Sequence, residues 1–254
     1  MAQDFKARLH GGEQLIGTWL KTPSPMVCEV LGRTELDAVC IDAEHSPFDR
    51  GTQDSCIHAL RSAAMDALVR VPAARSEYIL NALDCGATGV VVPHVNSSSQ
   101  AADIVAAAHY RPGARGYSPS TRAAGYGGRG IAEHLGDSAA RTTVILQIED
   151  LDAVDCIDDI AAVDGIDCLF IGRTDLTVAL GADAPSSPEV VAAVERICAA
   201  GRSAGVPVGM FFSDLSELPR WQEAGANFFL LASDHGFLRS GAAGLVSAFR
   251  QGGA

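Results

Sequence analysis

Eight short apolar runs, separated by longer amphipathic stretches, constrain this chain more than any other feature of its sequence. The runs are Leu15–Leu20, Leu36–Asp42, Ala67–Val71, Gly89–Val95, Thr143–Ile148, Cys168–Gly172, Pro207–Phe212 and Asn227–Ala232. Each has the length and near-continuous apolar character of a parallel strand covered on both faces. The segments between them read as helices, most clearly Ser99–Tyr110 and Pro188–Ala204. The second of these begins Ser186-Ser187-Pro188-Glu189, a helix start with proline near the first turn. Asp84-Cys85-Gly86-Ala87 and Glu223-Ala224-Gly225-Ala226 read as helix ends with a terminal glycine, each leading into a strand. Strand–helix alternation repeated eight times predicts an α/β fold, a (β/α)₈ TIM barrel, and 254 residues suffice for one such domain over 1–254. A doubly wound open sheet is the competing architecture. The first strand is not followed by G-x-G-x-x-G, which weakens its dinucleotide-binding version.

Charge and composition narrow the partners. A formal net charge of −12 argues against a nucleic-acid backbone and an anionic membrane surface. No apolar run approaches the roughly 18 residues of a membrane span, and MAQDFKARLHGG lacks the apolar centre of a signal peptide. The expected location is cytoplasmic. Seven cysteines without a C-x-x-C pair exclude zinc-ligand spacing and a secreted disulfide framework. They read as reduced, small hydrophobes. One stretch breaks the alternation, Arg111–Gly130, with four arginines and two tyrosines among glycine and serine. It is expected to be an ordered loop near the active site rather than a linker.

Active sites of such barrels sit at the carboxyl ends of the strands. Those ends carry Trp19, Asp42-Ala43-Glu44-His45, Arg70, Pro93-His94, Gln147-Ile148-Glu149-Asp150, Gly172-Arg173-Thr174-Asp175, Ser213 and Ser233-Asp234-His235. So many ionisable groups are costly to bury in a purely structural barrel. Glu149 and Asp175 leave adjacent strands, and with the amide oxygen of Gln147 they form a hard-oxygen set suited to Mg²⁺, Mn²⁺ or Co²⁺. Each carboxylate could instead cap the following helix. His45 is the natural general base, or else a structural histidine. Arg70 offers a planar cation for a carboxylate, or else a barrel-closing ion pair. Trp19 is either a lid over the substrate or core. His94 and His235 carry too little context to assign. No lysine is expected at a strand end, which disfavours Schiff-base chemistry.

At these positions the sequence resembles the HpcH/HpaI aldolase family, the class II pyruvate aldolases. The resemblance rests on GTWLK (17–21), DAVCIDAEHSP (37–47), VRVP (69–72), LDCGATGVVVPHV (83–95), RPGARG (111–116), RAAGYG (122–127), ILQIED (145–150), FIGRTDLTVALG (170–181) and ANFFLLASD (226–234). It covers nearly the whole chain, and the DAEH, QIE and IG-x-x-DL segments together are specific. The resemblance implies a hexameric barrel enzyme with a divalent metal held by Glu149 and Asp175. It also implies His45 as base, Arg70 as enolate stabiliser, and Gln147 and Thr174 as pyruvate contacts. Asp84 is implied to raise the basicity of His45. The residue reading puts Asp84 at a helix end on the far face of the barrel, so contact across a subunit boundary or through an intermediary is the alternative. Arg173 stands where the family more often has proline, and His94 where an apolar residue is common.

The implied reaction is retro-aldol cleavage of a 4-hydroxy-2-oxo acid to pyruvate and an aldehyde, with the metal acting as Lewis acid toward the enolate. Three alternatives stand beside it. One is a coenzyme-A ester lyase, for which only Arg111–Arg129 offers a basic nucleotide pocket. Another is a decarboxylase or Diels–Alder-type enzyme working through pyruvate enolate. The last is a non-catalytic barrel that binds a 2-oxo acid.

Overall fold

In the computed structural model, residues 4–252 are described; the first three residues of the N-terminal stretch read above lie outside them. The strands are β1 Leu15–Leu20, β2 Ala38–Asp42, β3 Asp66–Arg70, β4 Gly89–Val92, β5 Thr143–Ile148, β6 Cys168–Ile171, β7 Val208–Phe212 and β8 Ala226–Ser233. All are parallel, and β8 closes on β1, so the sheet is a (β/α)₈ barrel and not an open doubly wound one. The helices are α1 Phe5–His10, α2 Pro25–Leu31, α3 Arg50–Ser62, α4 Ser76–Asp84, α5 Ser98–Ala108, α6 Ile131–Arg141, α7 Leu151–Asp155, α8 Ile157–Ala161, α9 Arg173–Ala179, α10 Pro188–Ala204, α11 Leu218–Glu223 and α12 Asp234–Gly252.

All eight predicted strands are present; β1 and β5 keep the predicted bounds and the other six are shifted by a residue or more at one end or both. The largest shift is at β4, which stops at Val92 because His94 adopts a left-handed backbone (φ 53°). Helix α10 spans the predicted residues with Pro188 in its first turn. The side chain of Ser187 does not cap that helix; its hydroxyl accepts from the Ala184 N–H at 3.2 Å. Gly86 and Gly225 take positive φ (91° and 99°) just past α4 and α11, the conformation for which a terminal glycine is suited.

Two apolar cores follow from the period-2 alternation of a strand. Outward-facing residues such as Leu20, Val39, Val69 and Leu146 pack under the helices. Inward-facing ones fill the barrel: Leu15, Ala38, Cys40, Leu68, Val91, Ile145, Phe170, Phe228 and Leu230. Helix α1 plugs the amino-terminal end with Phe5 and Leu9, and Phe5 meets Phe228 edge-on at 5.4 Å. Its polar side anchors it. Lys6 Nζ (3.0 Å) and His10 Nε2 (2.8 Å) reach the buried Asp167, and Arg8 reaches Asp37 at 2.5 Å. Helix α12 behaves differently. Phe237, Leu238, Leu245 and Phe249 are exposed along it, Phe249 to 84%.

Loop 111–130 is tied down, as expected, by Arg115 to Asp84 (2.8 Å) and Arg122 to Asp54 (2.7 Å). Its expected position near the active site is corrected. It follows α5 and precedes β5, so it runs at the amino-terminal end of the barrel. There Arg115 and Arg129 wall a separate cavity of 320 Å³ together with Asp66 and Thr88. No helix among the described residues is long and apolar enough to cross a membrane.

Phe228 touches both Phe5 and Phe170 at the centre of the barrel. Phe228→Ala should cost about 3–5 kcal/mol and lower Tm by on the order of 10 °C in a thermal melt.

Candidate active site

The inward alternation that fills the barrel also sets its upper layer. Continuing the inward parity of β1, β2, β3 and β5 past the apolar residues gives Trp19, Asp42, Arg70, Gln147 and Glu149, all buried. Asp42 and Arg70 are register partners on adjacent strands. The Asp42 Oδ1 atom accepts from Arg70 Nε (3.0 Å) and lies 2.9 Å from Arg70 Nη2, while Oδ2 accepts from Lys21 Nζ at 2.6 Å. Burial alone would raise the Asp42 carboxyl, but Arg70 and Lys21 hold it below the usual carboxylate range. Asp42 also accepts from the His45 N–H at 3.1 Å, fixing the turn that carries the imidazole. Trp19 belongs to the core and also lines the cavity. It packs edge-on against Phe170 in the interior and lies 4.3 Å beneath the Arg70 guanidinium while lining the cavity.

Glu149 is 3% exposed. Its Oε1 accepts from the His94 N–H at 2.9 Å, and its Oε2 accepts from the Gln147 amide. Burial raises the Glu149 carboxyl above its usual value, and the charge of Asp175 adds to this against those two hydrogen bonds. Gly172 separates the two carboxylates. A Cβ there would lie 2.7 Å from Glu149 Oε2 and 3.5 Å from Asp175 Oδ2, so the missing side chain leaves a cleft that both acids face. The Oε1 atom of Gln147 is buried with no hydrogen-bond partner. Two facing carboxylates with an orphaned amide oxygen fit a hard divalent cation. Among the described residues no group of three or more His, Cys, Asp or Glu side chains could hold a metal ion. The set therefore depends on the amide and on ligands from outside the chain.

Trp19, Arg70, Gln147 and Gly172 border one cavity of 590 Å³, with Glu149 packed against Gly172 and Gln147. The cavity is also lined by His45, Thr174 and Asp175, and by the loops after β6 and β7. The structure thus brings together Trp19, His45, Arg70, Gln147, Glu149, Thr174 and Asp175. His45 is largely exposed, with its Nε2 3.6 Å from Glu44. Asp84 is not among them. It ends α4 at the opposite end of the barrel and pairs with Arg115.

One residue was missed and one was left unassigned. Lys21 directly follows β1 and lines the cavity, against the expectation of no lysine at a strand end; β1 runs one residue beyond Trp19. Its ammonium is held by Asp42, and its backbone N–H donates to the buried Asp234 at 2.8 Å. His94 brings its imidazole to 3.0 Å from Asp150, 3.4 Å from Glu149 and 3.7 Å from Glu44. Burial opposes its protonation, but these acids raise its pKa overall. The departure from an apolar residue at 94 was the available signal. His235 is not among the residues lining the cavity.

A barrel with an acid pair, an anchored arginine and an exposed histidine at its carboxyl end is the arrangement of a metal-assisted lyase. The chain belongs to the HpcH/HpaI aldolase/citrate lyase family, which it matches over residues 15–240. It is similar to the 5-keto-4-deoxy-D-glucarate aldolase of Shigella boydii, at 35% identity over 97% of this chain and 96% of that one. Among solved structures it is similar to an HpcH/HpaI aldolase/citrate lyase family protein from Burkholderia cenocepacia, with a TM-score of 0.91, 34% identity, and coverage of 96% of this chain and 98% of that one. It is also similar to an HpcH/HpaI aldolase from Desulfitobacterium hafniense, with a TM-score of 0.91, 28% identity, and coverage of 98% and 97%. The chain is a class II aldolase, a carbon–carbon lyase acting on small molecules.

Asp42→Asn would leave Arg70 and Lys21 without their shared anion. It should cost about 3–5 kcal/mol at pH 7, read as a lowered Tm. The folded carboxyl titrates below its unfolded value. Its stabilisation is therefore complete above the unfolded pKa of about 3.9 and is lost as pH falls through the lower folded value. The Tm gap between wild type and variant should accordingly narrow on acidification below about pH 4.

Proposed function

We propose that the chain cleaves a 4-hydroxy-2-oxo acid reversibly to pyruvate and an aldehyde, with the divalent cation at Glu149, Asp175 and Gln147. The observation that carries this reading is the convergence of Glu149 and Asp175 on the open face of Gly172, which with Asp175, Arg70 and His45 lines one cavity. The family generally depends on a divalent metal; Mg²⁺, Mn²⁺ and Co²⁺ all suit this oxygen set. When bound, the cation supplies Lewis acidity at the 2-oxo group of the substrate.

The chain's own residues do the rest. Gln147 and Thr174 orient the pyruvate portion. His45 takes the proton from the 4-hydroxyl, the C3–C4 bond breaks, its electrons pass into the enolate, the aldehyde departs, and C3 of the enolate then takes up a proton to give pyruvate. Arg70, held rigid by Asp42, stabilises the negative charge on the enolate oxygen. Lys21 is a poor Schiff-base nucleophile because its ammonium is paired with Asp42. A coenzyme-A ester lyase is disfavoured because the arginine-rich loop lies at the opposite end of this chain's barrel. Asp84 can assist His45 only from another copy. The exposed apolar residues of α12 support association into a homo-oligomer, for which a hexamer is our reading. Cytoplasmic residence is the location we propose.

Chelation and dialysis should abolish cleavage while leaving the circular dichroism unchanged, and Mn²⁺ or Mg²⁺ should restore it. Glu149→Gln should weaken Mn²⁺ binding in titration calorimetry. Full cleavage by the chelated enzyme, or borohydride trapping of pyruvate on Lys21, would overturn the metal reading.

Arg70→Lys replaces a planar fork with a point charge. It should lose about a hundredfold in kcat/KM, and His45→Ala about a hundred- to ten-thousandfold. Wild-type rates with a lowered Tm would make either residue structural.

A further inference from the structure

Helix α6 carries a polar face that the catalytic cavity does not use. His134, Asp137, Ser138 and Arg141 follow an i, i+3, i+4, i+7 spacing, which sets them on one side of the helix. That side borders the 320 Å³ cavity at the amino-terminal end of the barrel. Arg115 and Arg129 reach the same cavity from the 111–130 loop, and Arg61 reaches it from the end of α3. Gly86 makes room for Arg61. A Cβ there would collide with Arg61 Nη1, which instead donates to the Gly86 carbonyl at 3.1 Å.

The cations of this cavity are not all answered. Arg115 pairs with Asp84 and Arg129 with Asp137, each at 2.8 Å. Arg61 and Arg141 line the cavity without a carboxylate partner among the described residues. Burial and the charges of Arg122 and Arg129 lower the Arg61 pKa, as expected of a cation crowded by cations. Behind these arginines, Arg115 and His134 are 8% and 3% exposed, and Arg115 Nε and His134 Nδ1 are buried with no hydrogen-bond partner. The other His134 nitrogen, Nε2, lies 3.0 Å from the Tyr110 hydroxyl. Burial keeps the proton on Tyr110, and burial with the charges of Arg115 and Arg129 keeps the imidazole neutral. With the phenol donating to Nε2, the ring carries its single proton on Nδ1. Two orphaned buried N–H groups are costly, and an acceptor that met both would remove that cost.

The acids of the cavity limit what can enter. Asp137 is engaged by Arg129, and Asp4 caps α1 by accepting from the Ala7 N–H at 2.9 Å. Asp66 has no cation partner among the described residues. It accepts from the Thr88 hydroxyl at 2.8 Å, and burial raises its carboxyl.

We propose that this cavity is a second ligand site that takes a phosphate group, free or carried by a small organic molecule. Arg61 and Arg141 supply the charge, and Arg115 Nε and His134 Nδ1 supply N–H donors from behind. A phosphate presents at least three acceptor oxygens and close to two negative charges, enough to answer both guanidinium groups and both N–H groups. A carboxylate, singly charged and with two coplanar oxygens, leaves part of this set unmet.

The test is titration of inorganic phosphate into the enzyme with Mg²⁺ and pyruvate present to occupy the catalytic cavity. Calorimetry reads the binding, and a rise in Tm reports a ligand of the native state. Binding should saturate with a Kd of about 1 mM or below and weaken as NaCl rises. Arg61 and Arg141 are exposed, so Arg61→Gln and Arg141→Gln keep the fold. Each should weaken binding about tenfold, the effect of one charge-assisted hydrogen bond. Asp66→Asn removes an opposing charge and should tighten binding about threefold, a gain that structural damage does not imitate. Arg196→Gln, at an exposed pair with Asp158 outside the cavity, should change nothing. Glycerol phosphate separates the sources. Tighter binding of the ester assigns a phosphorylated metabolite, and tighter binding of the ion assigns free phosphate. No saturation below roughly 10 mM, or an affinity unmoved by both Arg61→Gln and Arg141→Gln, overturns the proposal.

Discussion

Everything at this site depends on the alternation of side chains along eight strands that close into a barrel. Closure leaves every inward residue either packed against the others or exposed to the cavity at the carboxyl end. In the lower layers Leu15, Leu68, Val91 and Phe228 fill the interior and need no polar partners. Above them the inward positions are Trp19, Asp42, Arg70, Gln147 and Glu149. The site is the top of the core with its apolar residues exchanged for polar ones, so its geometry is as rigid as the core beneath it.

Burying those groups makes charge balance the second constraint. On the β1–β3 side the balance is internal, with Asp42 and Glu44 facing Arg70 and Lys21. On the β5–β6 side it is not. Glu149 and Asp175 face a cleft whose nearby cationic candidate is His94, a half-exposed imidazole already shared with Asp150 and Glu44. Burial raises the Glu149 carboxyl, the charge of Asp175 adds to it, and in the proposed reading a divalent cation would offset both. The strained backbone of His94 belongs to the same arrangement. A left-handed residue costs on the order of 1–3 kcal/mol, and here that conformation aims its N–H at Glu149.

The two ends of the barrel do separate work. The carboxyl end carries the candidate site. The amino end is closed by α1 and bordered by the 111–130 loop, with Asp84 and Arg115 locked together. A role for Asp84 toward His45 therefore requires a second copy of the chain, and the exposed apolar residues of α12 are a feature that association would cover.

Residue by residue, the division between sequence and structure has a physical basis. The barrel was legible because buried parallel strands are written as apolar runs. The placement of Glu149, Asp175, Arg70 and His45 at the carboxyl end was legible because strand ends are where such barrels expose polar groups. Local chemistry also determined the start of α10 at Pro188 and the glycines ending α4 and α11. What the tertiary structure alone decided are relations between distant segments. Lys21 reaches Asp42 because β1 and β2 are neighbours. His94 reaches Glu149 because a left-handed turn ends β4 early. Loop 111–130 lies away from the catalytic cavity because helices return the chain to the amino end. Arg173 meets Glu217 because the loops after β6 and β7 converge. None of these is encoded by spacing along the chain, since each depends on which strands adjoin and where their turns point, and barrel closure settles both.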